Sequence, residues 1–290
     1  MTVSPVRTFG TEIEMVYKVQ GQESNDPESD SEEFERYEVD RNNWQDVANR
    51  LYRSFNEAGI RLHSDQITNR EGEYGEWDAE SEWDLTGDGS IQGLGGEIRS
   101  RILVGPQGVE ELNTGFDVAR KHGLVNLSCG FHVHVGADDI TSSGALRLLE
   151  NYSNNQKLIN SVLPKSRHST NQYCLPLPQD LSRLRGDPYT HRIPILGSRY
   201  FVVNLESISR HGTVEFRQHS GTVSKQKGVA WTMFVMALYE ASVVENRSIG
   251  KGEYKSMSEL TAGLGLETEY AEYFGERADY FRKIHREETE

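Results

Sequence analysis

The chain has 290 residues, with 31 basic and 45 acidic side chains and a net charge of −14 at neutral pH. That length holds one large domain or two small ones with a sizeable core. The acidic balance argues against a general nucleic-acid-binding surface, which needs a basic footprint. No apolar run is long enough to span a bilayer, so no membrane partner is expected. Two cysteines, Cys129 and Cys174, and an N-terminus without a secretory pattern predict a reducing, cytoplasmic setting.

In chain order, Thr8 to Tyr17 reads as a strand with Ile13 and Met15 on one face and Glu12 and Glu14 on the other. Two like charges at neighbouring same-face positions are either a solvated strand face or a pair offset by a divalent cation. Residues 20–36 are acidic and rich in Ser and Asp, which predicts a mobile, solvated loop. Residues 41–58 form an amphipathic helix with Trp44, Val47, Ala48, Leu51 and Phe55 at helical spacing and Gly59 as its stop. A strand from Ile60 to Ile67 follows. Trp83 to Ile91 reads as a strand running into a tight Asp-Gly turn.

Gly95 to Leu103 is the next strand, with Glu97, Arg99 and Arg101 expected on one face. Such a row is either a set of surface ion pairs or part of a site that handles both a metal and anionic oxygens. Pro106 opens a helix carrying Val109, Leu112, Phe116 and Ala119, ended by Gly123. Ser128 to Gly136 is a strand in which Phe131, Val133 and Val135 point one way and His132 and His134 the other. The two imidazoles are either ordinary satisfied histidines or metal ligands. Thr141 caps a helix over about 142–162, stopped by Pro164.

Residues 164–195 are proline-rich and carry Lys165, Arg167, His168, Arg183, Arg185 and Arg192. This basic segment is either a polar connection or a closure over an anionic ligand. Ser198 to Leu205 and Thr213 to His219 read as strands, the second with Glu215, Arg217 and His219 on one face. A mostly apolar helix over 225–245, a capping box from Ser256 to Glu259 and a last helix over 268–287 complete the chain.

Four strands thus present polar pairs at spacing two: Glu12/Glu14, Glu97/Arg99, His132/His134 and Glu215/Arg217. They fit an α+β fold in which a curved antiparallel sheet packs its apolar face on helices and holds a site on the other face. Carboxylates with an imidazole and no thiolate cluster suit Mg²⁺ or Mn²⁺ better than zinc. Arginines beside such ions suit phosphate, and together these are the parts of phosphoryl transfer.

Phe9-Gly10-Thr11-Glu12-Ile13-Glu14, Gly96-Glu97-Ile98-Arg99-Ser100, Ser128-Cys129-Gly130-Phe131-His132-Val133-His134-Val135, Arg199-Tyr200 with Asn204, and Thr213-Val214-Glu215-Phe216-Arg217 resemble, in order, the motifs of the amidoligase family. That family belongs with glutamine synthetase and glutamate–cysteine ligase among the carboxylate–amine ligases, and the match covers about residues 8–240. The resemblance implies a glutamine-synthetase-like incomplete antiparallel barrel with helices on its outer face. It implies one amidoligase-like catalytic domain over 1–290, with a C-terminal helical extension at about 250–290. It also implies ATP and Mg²⁺ (or Mn²⁺) as cofactors, with Glu12, Glu14, Glu97, His132 and Glu215 as metal ligands. His134 would lie near the nucleotide phosphates. Arg217 and Arg199 match arginines near the substrate carboxylate or phosphates.

Here the family usually has an apolar residue and then Ser-Pro after Glu97; this chain has Arg99 and Arg101 at the flanking positions, and Arg99 is assigned to the nucleotide. The activity implied is ATP-dependent amide formation through an acyl phosphate. Its carboxylate and amine substrates would be amino acids, peptides or related small molecules, with a modified DNA base the less favoured option. Oligomeric state is not legible. A His-x-His metal hydrolase built on His132 and His134, and a catalytically silent nucleotide-binding relative, are the competing readings.

Overall fold

The structure, a computed structural model, describes residues 6–18, 44–64, 76–168, 171–178, 180–181, 193 and 196–287. The expected acidic loop at 20–36 lies outside the described residues, as do Arg183, Arg185 and Arg192 of the basic segment. The chain divides into two compact units. The first comprises Thr8–His132 and Ser220–Val229; the second comprises Met1–Arg7, Val133–His219 and Ala230–Glu290.

Strand β1 (Thr8–Tyr17) organises the first unit. It pairs antiparallel with β4 (Gly95–Arg99) from Glu12↔Arg99 to Val16↔Gly95, and with the short strands β5 (Leu103–Val104) and β6 (Gly123–Leu124). Beyond β4 lie β3 (Trp83–Thr86), antiparallel to it, and β2 (Leu62–Ser64). The β2–β3 pair is parallel, which corrects the expectation of a wholly antiparallel sheet: the sheet is mixed and open. The long connection from Ser64 to Trp83 is what permits it, because parallel neighbours need a crossover rather than a hairpin.

Alternation does the sorting. Phe9, Ile13, Met15, Leu85, Ile98 and Phe131 are buried on the helix side. Helix α1 (Trp44–Glu57) buries Val47, Ala48, Leu51 and Phe55, and the Phe55 ring packs 5.5 Å from that of Trp83. Helix α2 (Gly105–His122) buries Leu112, Phe116 and Ala119. Gly115 brings α2 against Trp83 so closely that a Cβ there would sit 2.3 Å from the indole. The strand expected over Gly95 to Leu103 is broken. The β1–β4 ladder ends at Arg99 and pairing with β1 resumes only at Leu103; between them Arg101 turns to Glu111 of α2, its Nε donating at 2.8 Å. Arg101 therefore does not join the row of Glu97 and Arg99.

Strand β7 (Gly130–Gly136) begins in the first unit and continues in the second, with Phe131, Val133 and Val135 fully buried. Within the second unit, Thr141 Oγ1 accepts from Gly144 N at 3.1 Å and opens α3 (Ser142–Asn160) as expected. The strand expected over Ser198 to Leu205 shrinks to β8 (Val203–Asn204), because Asn204 Oδ1 takes the Glu206 amide and turns the chain. Helix α4 (Ser207–His211) then ends at Gly212, whose φ of 67° is left-handed. Strand β9 (Thr213–Ser220) pairs antiparallel with β8.

Helix α5 (Lys225–Tyr239) is almost wholly buried and passes into a single π turn, Glu240–Val244. Helices α6 (Met257–Gly263) and α7 (Thr268–Glu287) close the chain. Ser256 caps α6 by accepting from Glu259 N, while Glu259 takes the Lys255 amide. Both cysteines are buried and not joined in a disulfide, and among the described residues no helix is long and apolar enough to cross a membrane.

Candidate active site

In the first unit, strand register lays charged side chains across the sheet in two rows. One row runs His63, Asp84, Arg99, Glu12 through the pairings His63↔Asp84, Asp84↔Arg99 and Glu12↔Arg99. His132 joins it, its Nδ1 2.7 Å from Glu12 Oε2. The other row runs Thr86, Glu97, Glu14 through Thr86↔Glu97 and Glu14↔Glu97. Glu14 is buried, and its Oε2 accepts the Gly130 amide at 2.6 Å. That bond needs a backbone N–H beside the carboxylate, and it is the use found for the first glycine of the histidine strand.

Glu14, Glu97 and Asp88 each offer a carboxylate oxygen, all within 4.8 Å of one another. Burial, then the charges of Glu12, Glu14 and Asp88, push Glu97 up to about 9, against the opposing pull of Arg99. His132 is buried; with Nδ1 held by Glu12, its Nε2 lies 3.7 Å from Glu14 Oε1.

The second unit repeats this arrangement. His134 Nδ1 is 2.9 Å from Thr213 Oγ1, which also pairs with Ser207 Oγ at 2.9 Å, and His134 Nε2 lies 4.0 Å from Glu215 Oε1. Glu215 is buried, takes Asn204 Nδ2 at 2.7 Å on its other oxygen, and pairs closely with Arg217. Arg217 Nε also donates to Tyr173 O at 3.3 Å. Arg199 is exposed, with its guanidinium 5.0 Å from the Tyr200 ring centroid.

Both imidazoles are thus held at Nδ1 while Nε2 stands 3.7 or 4.0 Å from a carboxylate oxygen. Those gaps are too long for a hydrogen bond. They match two ligands of one cation, which at metal–ligand distances of about 2.1 Å sit about 3–4 Å apart. An Nδ1 tied to a carboxylate or hydroxyl is also how ligating histidines are oriented. The residues present fit a divalent cation on chemical grounds as well. The carboxylates crowd one another, and the donors are oxygen and imidazole, the set that suits Mg²⁺ or Mn²⁺.

Of the residues expected from the sequence, Glu12, Glu14, Glu97, Arg99 and His132 come together in the first unit. His134, Arg199, Glu215 and Arg217 lie in the second. Arg99 does not simply project from the sheet: its Nε donates to Asp84 Oδ2 at 3.0 Å and it stacks 4.4 Å from the Trp77 ring centroid. Sequence reasoning missed Asp84, Asp88 and His63. The signal for Asp84 was the polar position between Trp83 and Leu85, the same alternation that marked the other strands. Asp88 was hidden in the Asp-Gly turn.

Fold and site define an α+β protein whose strands carry carboxylate–imidazole pairs suited to a hard cation. The sequence matches, over residues 5–239, the family described as "Putative amidoligase enzyme". The chain belongs to that amidoligase family. A search of curated proteins returns no match. Among solved structures the chain is similar to the Plasmodium falciparum glutamine synthetase determined by cryo-electron microscopy. That likeness has 12% identity and a TM-score of 0.41, over 83% of this chain and 52% of that one. It is also similar to a novel glutamine synthase homolog determined by crystallography, with 11% identity and a TM-score of 0.42, over 98% of this chain and 66% of that one. The chain spans about half the length of the first and about two thirds of the second.

Proposed function

We propose that this protein is an ATP-dependent carboxylate–amine ligase that forms an amide through an acyl phosphate. Its substrates would be the carboxylate and amine of amino acids, peptides or related small molecules. The observation that carries the reading is the carboxylate cluster of buried Glu14 with half-buried Glu97 and Asp88, beside His132, in a chain of the amidoligase family.

In the first unit, Glu12, Glu14, Glu97 and His132 would hold a divalent cation, with Glu12 Oε2 also bonding the His132 ring. Glu215 of the second unit is assigned the same ligating role. Mg²⁺ or Mn²⁺, when bound, supplies the positive charge that neutralises phosphate oxygens. His134 and Arg99 are each assigned to phosphate oxygens, and each would offer an N–H donor to a nucleotide phosphate. Arg217 and Arg199 stabilise the charge that develops as the γ-phosphoryl group passes to the substrate carboxylate and as the amine then displaces phosphate. The route needs no side-chain nucleophile, and Cys129 is left to packing: it is 1% exposed, its thiol directed at Asn126 Oδ1 at 3.5 Å.

A coupled ADP-release screen over pooled carboxylates and amines with Mg²⁺ tests the proposal. Turnover should require both substrates and should vanish in Glu14→Gln and in His132→Ala while the circular dichroism spectrum is kept. Turnover that survives both substitutions refutes the site. Metal-dependent turnover without nucleotide points instead to the His-x-His hydrolase.

A further inference from the structure

Arg99 lies on the charged face of the first unit's sheet, held from two sides by residues with no assigned role. Asp84 is 2% exposed, and its two carboxylate oxygens do different work. Oδ1 meets His63 Nδ1 at 2.6 Å, while Oδ2 takes Arg99 Nε at 3.0 Å and pairs closely with Nη2. The carboxylate is therefore pinned by the imidazole and cannot rotate away from the guanidinium. On a second side the guanidinium lies 4.4 Å from the Trp77 ring centroid, and Trp77 is itself fixed by its Nε1 donating to Glu82 O at 2.8 Å. These contacts use one edge and one face of Arg99. Its Nη1 has no hydrogen bond among the described residues, and the side chain keeps 33% exposure. Arginine held this way has lost its rotamer freedom before any ligand arrives and presents its remaining N–H donors in one direction.

We propose that Asp84, steadied by His63 and assisted by Trp77, is a positioning residue that aims the Nη1 edge of Arg99 at a phosphate oxygen of the bound nucleotide. The inference rests on the ligase reading, and extends it to residues that neither sequence motif nor metal chemistry singles out.

Isothermal titration with Mg²⁺ and the non-hydrolysable ATP analogue AMP-PNP tests it, beside Mn²⁺ titration without nucleotide. Asp84→Asn keeps the shape of the buried side chain and should weaken AMP-PNP by about 10- to 100-fold, the range for losing a charge-assisted contact. Arg99 Nε also lies 3.8 Å from Glu97 Oε1, so the Mn²⁺ affinity of Asp84→Asn should move in part, but by a clearly smaller factor than the AMP-PNP affinity. Trp77→Leu, which leaves the ion pair intact, should weaken AMP-PNP by a smaller factor. Because Asp84 acts through Arg99, adding Asp84→Asn to Arg99→Met should cost nothing further, a result that general loosening of the fold would not give. Mg²⁺-pyrophosphate should lose the same factor as AMP-PNP, which separates phosphate contact from base contact. Wild-type affinity in Asp84→Asn, or additive losses in the double variant, overturns this inference alone. Wild-type protein that binds Mn²⁺ but no AMP-PNP overturns the ligase reading and this inference with it.

Discussion

Glu14 and Glu97 stand directly opposite each other across the β1–β4 pair, two acidic side chains at one register position of an antiparallel ladder. Like charges so placed are destabilising, and here they are also withdrawn from water. A fold that keeps this pairing is arranged to gain something that offsets it, and a cation is the economical candidate.

Relieving that repulsion should stabilise the metal-free protein. Glu97→Gln puts a permanently neutral amide beside Glu14, so that folding no longer has to take up a proton at this position, and should raise Tm at neutral pH by roughly 2–4 °C, the equivalent of about 1 kcal/mol in a chain of this size. The same substitution should weaken Mn²⁺ by at least about tenfold through the lost ligand. Differential scanning fluorimetry with and without Mn²⁺ measures both; a lower Tm without metal contradicts the argument.

The raised Glu97 pKa fixes a sign for pH dependence. With its folded value near 9, well above the ordinary 4.5, the native metal-free protein holds a proton that the unfolded chain gives up. Stability of the metal-free form therefore declines as pH rises between those two values. A bound cation displaces that proton, so Mg²⁺ affinity should climb by up to about tenfold per pH unit below pH 9. Calorimetry in buffers of different ionisation enthalpy should register about one proton released per site; no release would place Glu97 outside the ligand set.

His122 gives the opposite slope. Burial, then Lys121, Arg50 and Lys18, lower its pKa from 6.5 to about 4, and its Nε2 is 2.8 Å from Ser54 Oγ. It is neutral in the fold and charged in the acid-unfolded chain. Its contribution is complete above pH 6.5 and is lost as pH falls toward 4. Urea midpoints should drop across that interval in wild type, and the drop should be shallower in His122→Gln.

Arg217 should not tolerate lysine. Its guanidinium spans Glu215 and the Tyr173 carbonyl, two acceptors that a point-charge ammonium cannot serve together. Once a turnover assay exists, Arg217→Lys should lower kcat by about 10²–10³-fold, with little change in Tm. Near-normal kcat would remove Arg217 from the chemistry.

Gly115→Ala probes the scaffold. The added methyl would meet Trp83 at 2.3 Å, so α2 must shift off the sheet. Overpacking of this kind costs about 1–3 kcal/mol, and thermal melts should show a Tm several degrees lower. An unchanged Tm would mean that the helix is not seated on Trp83.

The helices were the most legible part of the chain. Thr141 as a cap, Pro106 near a start and the apolar spacing of Val47, Leu51 and Phe55 are local signals, and local hydrogen bonds and burial periodicity are enough to read them. The last helix over 268–287 appears with the bounds its sequence suggests. Strand ends were harder. Nothing local to Gly95–Leu103 says that Arg101 will leave the ladder for Glu111, because the partner sits on a different element.

The alternation of Glu12/Glu14, Glu97/Arg99 and His132/His134 told from sequence alone which face of each strand would be polar, since side-chain period is a property of the extended backbone. Register was beyond its reach. That Glu14 meets Glu97, that Asp84 clamps Arg99, and that Asp88 comes out of a turn to join two glutamates are long-range pairings. They are set by how strands distant along the chain align, and only the folded sheet decides them.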